Sequence, residues 1–264
     1  VKFTVIGAGG YVGSELVRHL RASGAEVATP AKGKLPDGPL GRVIYAAGAT
    51  RDFLANPRYT LRAHATDFTA LLDRDFDHCW YLSSVRLYDF TALPVVDESS
   101  PVAVRTEDPR SVFDATKLAG EAIGLHDSGG RVSVARLACV HGGSSPTQAF
   151  LHELIEMARR GITESNSHPE IQRDYIHIEE VCRALAAPPP AARVINFSSG
   201  MNVSNAELFQ AIFEASGHEF THKGPLIGYQ PPPRIDNRRF VESFGFCSLP
   251  LLERIGPMFH PRDL

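Results

Sequence analysis

The chain opens on an apolar, β-branched run, Phe3-Thr4-Val5-Ile6, and within five residues the hydrophobic period changes. From Tyr11 to Ser23 the apolar positions fall at Val12, Leu16, Val17 and Leu20, while Arg18 and Arg21 take the other side, which is helical spacing. Gly24 then stands where a helix C′ residue would. Strands are predicted over Glu26 to Thr29 and Val43 to Ala47. The Pro- and Gly-rich stretch between them, Pro30 to Gly41, is barely long enough for a parallel crossover and should run as an extended loop. Further on the pattern predicts a helix over Tyr59 to Leu72, a buried strand over Cys79 to Ser84, a helix over Ser111 to Leu125, a strand over Val132 to Leu137 and a helix from about Gln148 to Arg160. Arg173 to His177 reads as a short strand, Glu179 to Ala187 as a helix, Pro188-Pro189-Pro190 as a stiff connector and Val194 to Phe197 as the last strand of the sheet. Ser204 caps a helix that runs to Ser216, and Glu207 completes a capping box. Such alternation predicts an α/β fold, a parallel sheet covered on both faces. The looser stretches, Ser144-Ser145-Pro146 and the polar loop from Gly161 to Gln172, are expected at the rim of a substrate site.

Composition narrows the partners. The 264 residues suffice for one sizeable domain with an appended lobe. A net charge of −3 and a pI of about 6.4 leave no basic field for a nucleic acid backbone, so a small molecule is the expected partner. Cys79, Cys139, Cys182 and Cys247 are scattered, with no Cys-x-x-Cys spacing that would suggest a metal site, and no apolar run reaches the length of a membrane span. A soluble, cytoplasmic protein with free thiols is expected. The first residues already read as a strand, so no signal peptide is expected, and the missing initiator Met hints only at processing or trimming.

Chemistry enters after the first strand, at Gly7-Ala8-Gly9-Gly10-Tyr11-Val12-Gly13. Gly7 can make a tight turn with φ > 0, Gly10 lets backbone N–H groups approach a pyrophosphate, and Gly13 lets the helix lie close on the sheet. The anion would then cap the helix N-terminus. The plain alternative, a turn before a helix, fits less well with the loop's place at the first strand of an alternating chain.

The Gly-x-x-Gly-x-x-Gly spacing resembles the loop of the extended short-chain dehydrogenase/reductase family, and three further motifs follow in that family's order. Tyr81-Leu82-Ser83-Ser84-Val85-Arg86-Leu87-Tyr88 is similar to the strand-end serine motif of its nucleotide-sugar enzymes, with Ser84 as the catalytic hydroxyl. Arg173-Asp174-Tyr175-Ile176-His177 resembles the late motif of sugar-nucleotide epimerases, in which the Arg grips the diphosphate. A guanidinium suits that task, since its planar fork donates two parallel hydrogen bonds, and the plain alternative is a surface ion pair with Asp174. Arg136 to Gly142 resembles the substrate loop Arg-x-x-Asn-Val-Tyr-Gly, with Cys139 and His141 in place of Asn and Tyr. The likeness reaches Asn196, Asp236 and Phe244-Gly245-Phe246.

The resemblance implies a Rossmann doubly wound parallel sheet binding NAD(P) over residues 1–142 and 173–200, with a small C-terminal substrate lobe over 143–172 and 201–264. It implies a nucleotide-sugar substrate, a place in carbohydrate biosynthesis, and a homodimer built from the helices around Tyr59 to Leu72 and Ser111 to Leu125. Cofactor contacts are expected from Gly7, Gly10, Tyr11, Val12, Gly13, Lys32, Ala46, Ala47 and Lys117, and substrate contacts from Ser84, Tyr88, Cys139, His141 and Arg173.

In this family a Tyr-x-x-x-Lys pair transfers the proton, the ammonium lowering the phenol pKa from about 10 and holding the nicotinamide ribose. Lys117 is present, but the matching position four residues earlier is Phe113, which has no proton to give. Either the tyrosine was replaced to trap a bound substrate, since Phe keeps the ring and removes only the hydroxyl, or the natural protein works differently. In the second case Tyr88, Cys139 and His141 are the nearest substitutes.

Cofactor choice falls at the end of the second strand, where an acidic residue would bond the adenosine ribose of NAD. Ala31 stands there, followed by Lys32 and Lys34, which favours NADP unless the lysines are simply solvated. A consumed NADPH points to a ketoreductase acting on a nucleotide-linked keto-sugar. A tightly held, recycled NAD would point to an epimerase or dehydratase. A third reading, which Phe113 supports, is an NAD(P)-binding sensor or partner subunit without turnover.

Overall fold

The computed structural model describes residues 1–49, 53–144, 149–222, 226, 229–246 and 248–259. Strand β1 (Lys2–Ile6) passes through the glycine loop into helix α1 (Tyr11–Ala22), and Gly24, at φ +78°, ends it in the left-handed conformation. Strands β2 (Glu26–Ala28), β3 (Arg42–Tyr45), β4 (His78–Ser84), β6 (Val132–Leu137) and β10 (Val194–Phe197) join β1 in one six-stranded sheet of order β10-β6-β4-β3-β1-β2, every pairing parallel. Along the chain the two-residue strand β5 (Val95–Val96) comes between β4 and β6, and the two-residue strand β8 (Glu164–Ser165) follows later; neither enters this sheet.

The link from β2 to β3 holds no helix, as its composition required. No strand is therefore added beyond β2. Counted along the chain, the sheet runs 2-1-3-4-5-6 rather than the 3-2-1-4-5-6 of the two-halved dinucleotide fold, and its topological switch falls between β1 and β3.

The predicted helix over Tyr59 to Leu72 is interrupted: α2 (Pro57–Leu61) and α3 (Asp67–Leu72) are joined by a π-helical turn, Arg62–Thr66. That turn buries Ala63, His64 and Ala65 in succession, which a regular helix face would not do. Helix α4 (Ser111–Asp127) crosses the same face of the sheet. It lies so close to β4 that a Cβ on Gly120 would stand 2.3 Å from the Tyr81 hydroxyl oxygen.

Alternation along β4 divides the core. Trp80 and Leu82 pack on one face with Leu16, Leu20, Val181, Leu185 and Phe197, under α1, α6 (Ile178–Ala186) and α8 (Arg238–Phe244). Cys79 and Tyr81 point to the other face, with Val43, Tyr45, Phe68 and Leu71.

A separate apolar centre joins α5 (Phe150–Arg159), α7 (Asn205–Ser216) and α9 (Ile255–Phe259) through Leu151, Leu154, Ile155, Leu208, Ile212 and Ile255. Ser204 and Glu207 form the capping box of α7. Strand β9 (Gln172–His177) does not enter the main sheet. It pairs in parallel with β7 (Cys139–His141) and antiparallel with β11 (Asn202–Ser204), and so bridges the sheet's last crossover to the second centre. Cys79, Cys139 and Cys182 are free thiols, whereas Cys247 lies outside the described residues. Among the described residues no helix is long and apolar enough to cross a membrane, and no group of His, Cys, Asp and Glu could hold a metal ion.

Candidate active site

The glycine loop is built for close approach. Gly7 has φ +89°, and a Cβ there would lie 2.6 Å from the Ala47 nitrogen; one on Gly13 would lie 2.2 Å from the Gly7 carbonyl oxygen. Both are therefore demanded by the packing of β1, β3 and α1 against each other. Gly10 differs: its N–H donates to Gly7 O at 3.0 Å, it is exposed, and a Cβ would meet only Gly7 O at 3.4 Å. The N–H groups open to an anion are accordingly those of the first turn of α1, Tyr11 to Gly13, because the first donors of a helix have no intrahelical partner. Gly10 gives that turn no side-chain cap and the turn carries no acidic residue, so the cradle fits a pyrophosphate at its positive end. The Tyr11 side chain turns away, its hydroxyl donating to Gly142 O at 2.6 Å.

Beyond the switch point, Lys32 and Arg62 flank the end of β2. The Lys32 ammonium sits 4.0 Å from the centre of the Tyr59 ring, and the Arg62 guanidinium packs within 3.2 Å of where a Gly33 Cβ would stand. Lys32 is thus placed against an aromatic face as well as exposed to solvent.

Lys117 is buried on α4, its ammonium donating to Leu82 O at 2.8 Å and lying 5.0 Å from the Tyr81 ring centre. Burial pushes its pKa down to about 7, with Glu121 pulling the other way. Glu121 itself is taken by Arg136, whose Nη2 donates to it at 2.6 Å. One turn before Lys117, Phe113 is buried between Phe53 and His64, with ring centres 5.6 and 5.3 Å away. His64 ties this corner together. Thr116 Oγ1 donates to Val112 O at 2.7 Å and so accepts from His64 Nδ1 at 2.8 Å, leaving Nε2 to accept the Ala49 N–H at 3.1 Å. Burial and the neighbouring Lys117 charge hold this imidazole neutral, with its pKa pushed down to about 3. The π-turn thereby fastens the loop after β3 to α4.

A cavity of about 510 Å³ opens past the C-terminal end of β4. Arg86, Arg105, Arg110 and Arg173 reach its wall, with Asp89, Phe90, Cys139 and Tyr229. Arg110 is fixed by Asp89 at 2.6 Å and Asp114 at 3.0 Å. Arg105 lies over the Phe90 ring at 4.6 Å, and Arg173 over the Phe150 ring at 5.0 Å, with Nη1 buried and without a hydrogen-bond partner. Arg173 is not paired with Asp174, which instead accepts from Ser199 N and Gly200 N at 2.8 Å each. Ser84, half-buried at the end of β4, accepts the Arg86 N–H at 3.2 Å and stands beside the cavity behind Val85 and Arg86.

Two of the expected substrate contacts lie elsewhere. Tyr88 is fully buried; its hydroxyl donates to Asn196 Oδ1 at 3.0 Å and accepts from Arg136 Nη1 at 2.5 Å, so the phenol closes an internal polar network. His141 is also buried, 5.1 Å from the His177 ring, and does not line the cavity. His141 shares a face of β7 with Cys139, two residues earlier, but stands at the strand's far end, register-paired with His177, whereas Cys139 reaches the cavity wall. Ile171 and Gln172 carry the expected rim of the polar loop, and Ser145 and Pro146 fall outside the described residues. The sequence reading missed Arg86, Arg105, Arg110 and Tyr229. Its available signal was the run of arginines in a strand-end turn and a polar loop, where no helical or strand periodicity explains them.

The fold is thus a parallel α/β sheet with a glycine loop at its switch point and a cationic cavity beside its strand ends. No family model matches the chain, and no curated protein does. Solved structures do. A UDP-glucose 4-epimerase from Thermotoga maritima with UDP-glucose superimposes at TM-score 0.82 with 18% identity, covering 98% of each chain. TunA, an NAD-dependent NDP-hexosamine 5,6-dehydratase of tunicamycin biosynthesis, gives 0.81 with 21% identity over 100% of this chain and 99% of that one. RMD from Pseudomonas aeruginosa complexed with NADPH gives 0.78 with 22% identity over 100% and 99%. At these identities the likeness is one of fold alone.

Proposed function

We propose that the protein is an NAD(P)-dependent oxidoreductase acting on a nucleotide-linked sugar, in the sense of keto-sugar reduction. The observation that carries this reading is the adjacency of two sites: an anion cradle at the N-terminus of α1, and beyond the end of β4 a cavity walled by Arg86, Arg105, Arg110 and Arg173. Gly7, Gly10, Val12, Gly13, Ala46, Ala47 and Lys117 would hold the nicotinamide cofactor, which supplies the hydride. Arg173 and the lobe of residues 143–172 and 201–264 hold the nucleotide diphosphate. Ser84 donates a hydrogen bond to the carbonyl oxygen. Ala31, together with Lys32 and Arg62, supports NADP(H), since a 2′-phosphate there meets two cations, although Arg62 also holds Asp67 at 3.1 Å. The structures of similar fold include an NADPH complex as well as NAD-dependent enzymes, and an epimerase or dehydratase with retained NAD is the alternative chemistry.

Phe113 favours a second reading, a nucleotide-binding protein without turnover, because the buried ring offers no proton beside Lys117. Single-turnover transfer of deuteride from labelled NADPH to nucleotide keto-sugars decides between them: transfer supports the enzyme, and tight binding without transfer supports the second reading. Resemblance also supports a homodimer through α2–α3 and α4, with Leu61, 49% exposed on α2, offering apolar surface. Sedimentation velocity tests it, and a monomer at working concentration refutes it.

A further inference from the structure

Arg86 stands apart among the four cavity arginines. It lies two residues past Ser84 on the 3₁₀ turn Val85–Tyr88, and its N–H donates to the Ser84 hydroxyl oxygen, so its side chain leaves the backbone at the reacting end of the cavity. Its carbonyl accepts from Arg110 Nη2 at 3.1 Å, which fixes the turn. Arg110 has two carboxylates, but Arg86 has none to itself. Its Nε approaches Asp89 Oδ2 only to 4.0 Å, and that oxygen already accepts from Arg110 Nη1 at 2.6 Å. Of the other carboxylates on the wall, Asp174 is held by Ser199 and Gly200, and Asp108 accepts the Arg110 N–H. Cys139, on the same wall, has no carboxylate to offer it. Burial and the repulsion of Arg110 disfavour the Arg86 charge, with Asp89, Cys139 and Asp114 acting the other way.

A guanidinium set beside the reacting sugar without a partner of its own calls for an anion on that sugar. A neutral hexose would leave it desolvated and unpaired, whereas a carboxylate matches its planar fork with two parallel hydrogen bonds. The diphosphate has other partners, Arg173 and Arg105, which rest on aromatic faces and have no carboxylate to hold them. We propose that Arg86 is a specificity residue that selects a nucleotide-linked uronic acid, binding the carboxylate of the sugar while Ser84 addresses its reacting carbon. This rests on the nucleotide-sugar reading of the site.

Calorimetric titration of the whole chain with UDP, UDP-glucose and UDP-glucuronic acid, and with GDP, GDP-mannose and GDP-mannuronic acid, tests it. The uronate of the accepted nucleotide should bind at least tenfold more tightly than its neutral partner. Arg86→Gln should bring that ratio to near one, and Arg86→Lys, which keeps the charge and loses the fork, should leave it between. Circular dichroism confirms that the variants fold, as the half-exposed side chain implies. Equal affinity for hexose and uronate overturns the proposal and leaves the nucleotide-sugar reading standing. A parallel loss for the nucleoside diphosphate in Arg86→Gln also overturns it, by placing Arg86 on the diphosphate. Failure of every nucleotide and nucleotide sugar to bind removes the nucleotide-sugar reading and this proposal with it.

Discussion

Acidification should unfold this protein cooperatively near pH 5, because its interior stores histidines as neutral bases. His64 and His141 are buried with pKa values pushed down to about 3, and His78 and His177, half-buried, to about 4; in every case burial is the main cause. The secondary causes are nearby groups that are or can become positive: Lys117 for His64, Arg42 for His78, and for His141 the imidazole of His177, Arg254 and the imidazole of His152. In the unfolded chain each returns to about 6.5. A folded pKa below the unfolded one means that the unfolded chain binds more protons between the two values, so stability present above about 6.5 is lost as pH falls toward about 4. At pH 5 each of the four costs about 2 kcal/mol. Asp174 opposes them. Burial pushes its pKa up to about 7, so between that value and the unfolded carboxylate range the folded protein binds the extra proton and gains about 2 kcal/mol from pH 7 to 5. The net loss over that interval is about 5 kcal/mol, comparable to the whole stability of an ordinary domain. Urea titrations at half-unit pH steps measure it, with the emission of Trp80 as the probe; this single tryptophan is buried and edge-on to His78 at 5.5 Å. The expected slope between pH 6 and 5 is about 4 kcal/mol per unit, three net protons, and His78→Asn should reduce it by one. A slope below one proton would show that these imidazoles are solvated or already charged at neutral pH.

Three further outcomes follow from the site. Phe113→Tyr should raise turnover by ~10²–10⁴-fold with little change in substrate affinity, since it restores a proton donor beside Lys117; equal rates at saturating substrate across several pH values would put the proton on another residue. Gly10→Val should abolish cofactor binding and leave the fold intact, whereas Gly13→Ala, whose Cβ would stand 2.2 Å from Gly7 O, should fail to fold stably; fluorescence titration of NADPH and thermal melts separate the two, and unchanged NADPH affinity in Gly10→Val would displace the cradle. Replacing Lys32 and Lys34 together by Gln should weaken NADP(H) more than NAD(H), and an equal loss of both would overturn the reading of Ala31 and its neighbours.

The sequence by itself determined what is local. Apolar spacing reports which side of a segment is buried, so α1, α4, β4, β6 and β10 were legible to within a residue or two, and the glycine loop was legible because backbone sterics act over a few bonds. The same holds for the Ser204 capping box and the missing crossover helix before β3. Tertiary structure decided what depends on elements far apart in the chain. Tyr88 looked like a site residue from its distance to Ser84, but its fate was set by Arg136 and Asn196, 48 and 108 residues away. His141 went inward because β7 pairs with β9, a partner no local pattern names. The π-turn that seats His64 answers to Thr116 and Ala49, across two other elements. Arg86, Arg105, Arg110 and Arg173 come from a 3₁₀ turn, one loop and a strand, and only the crossovers of the sheet bring them to one wall. Charge convergence is a property of the fold's geometry: periodicity encodes what each segment buries, while the long-range pairing of strands decides which loop residues meet.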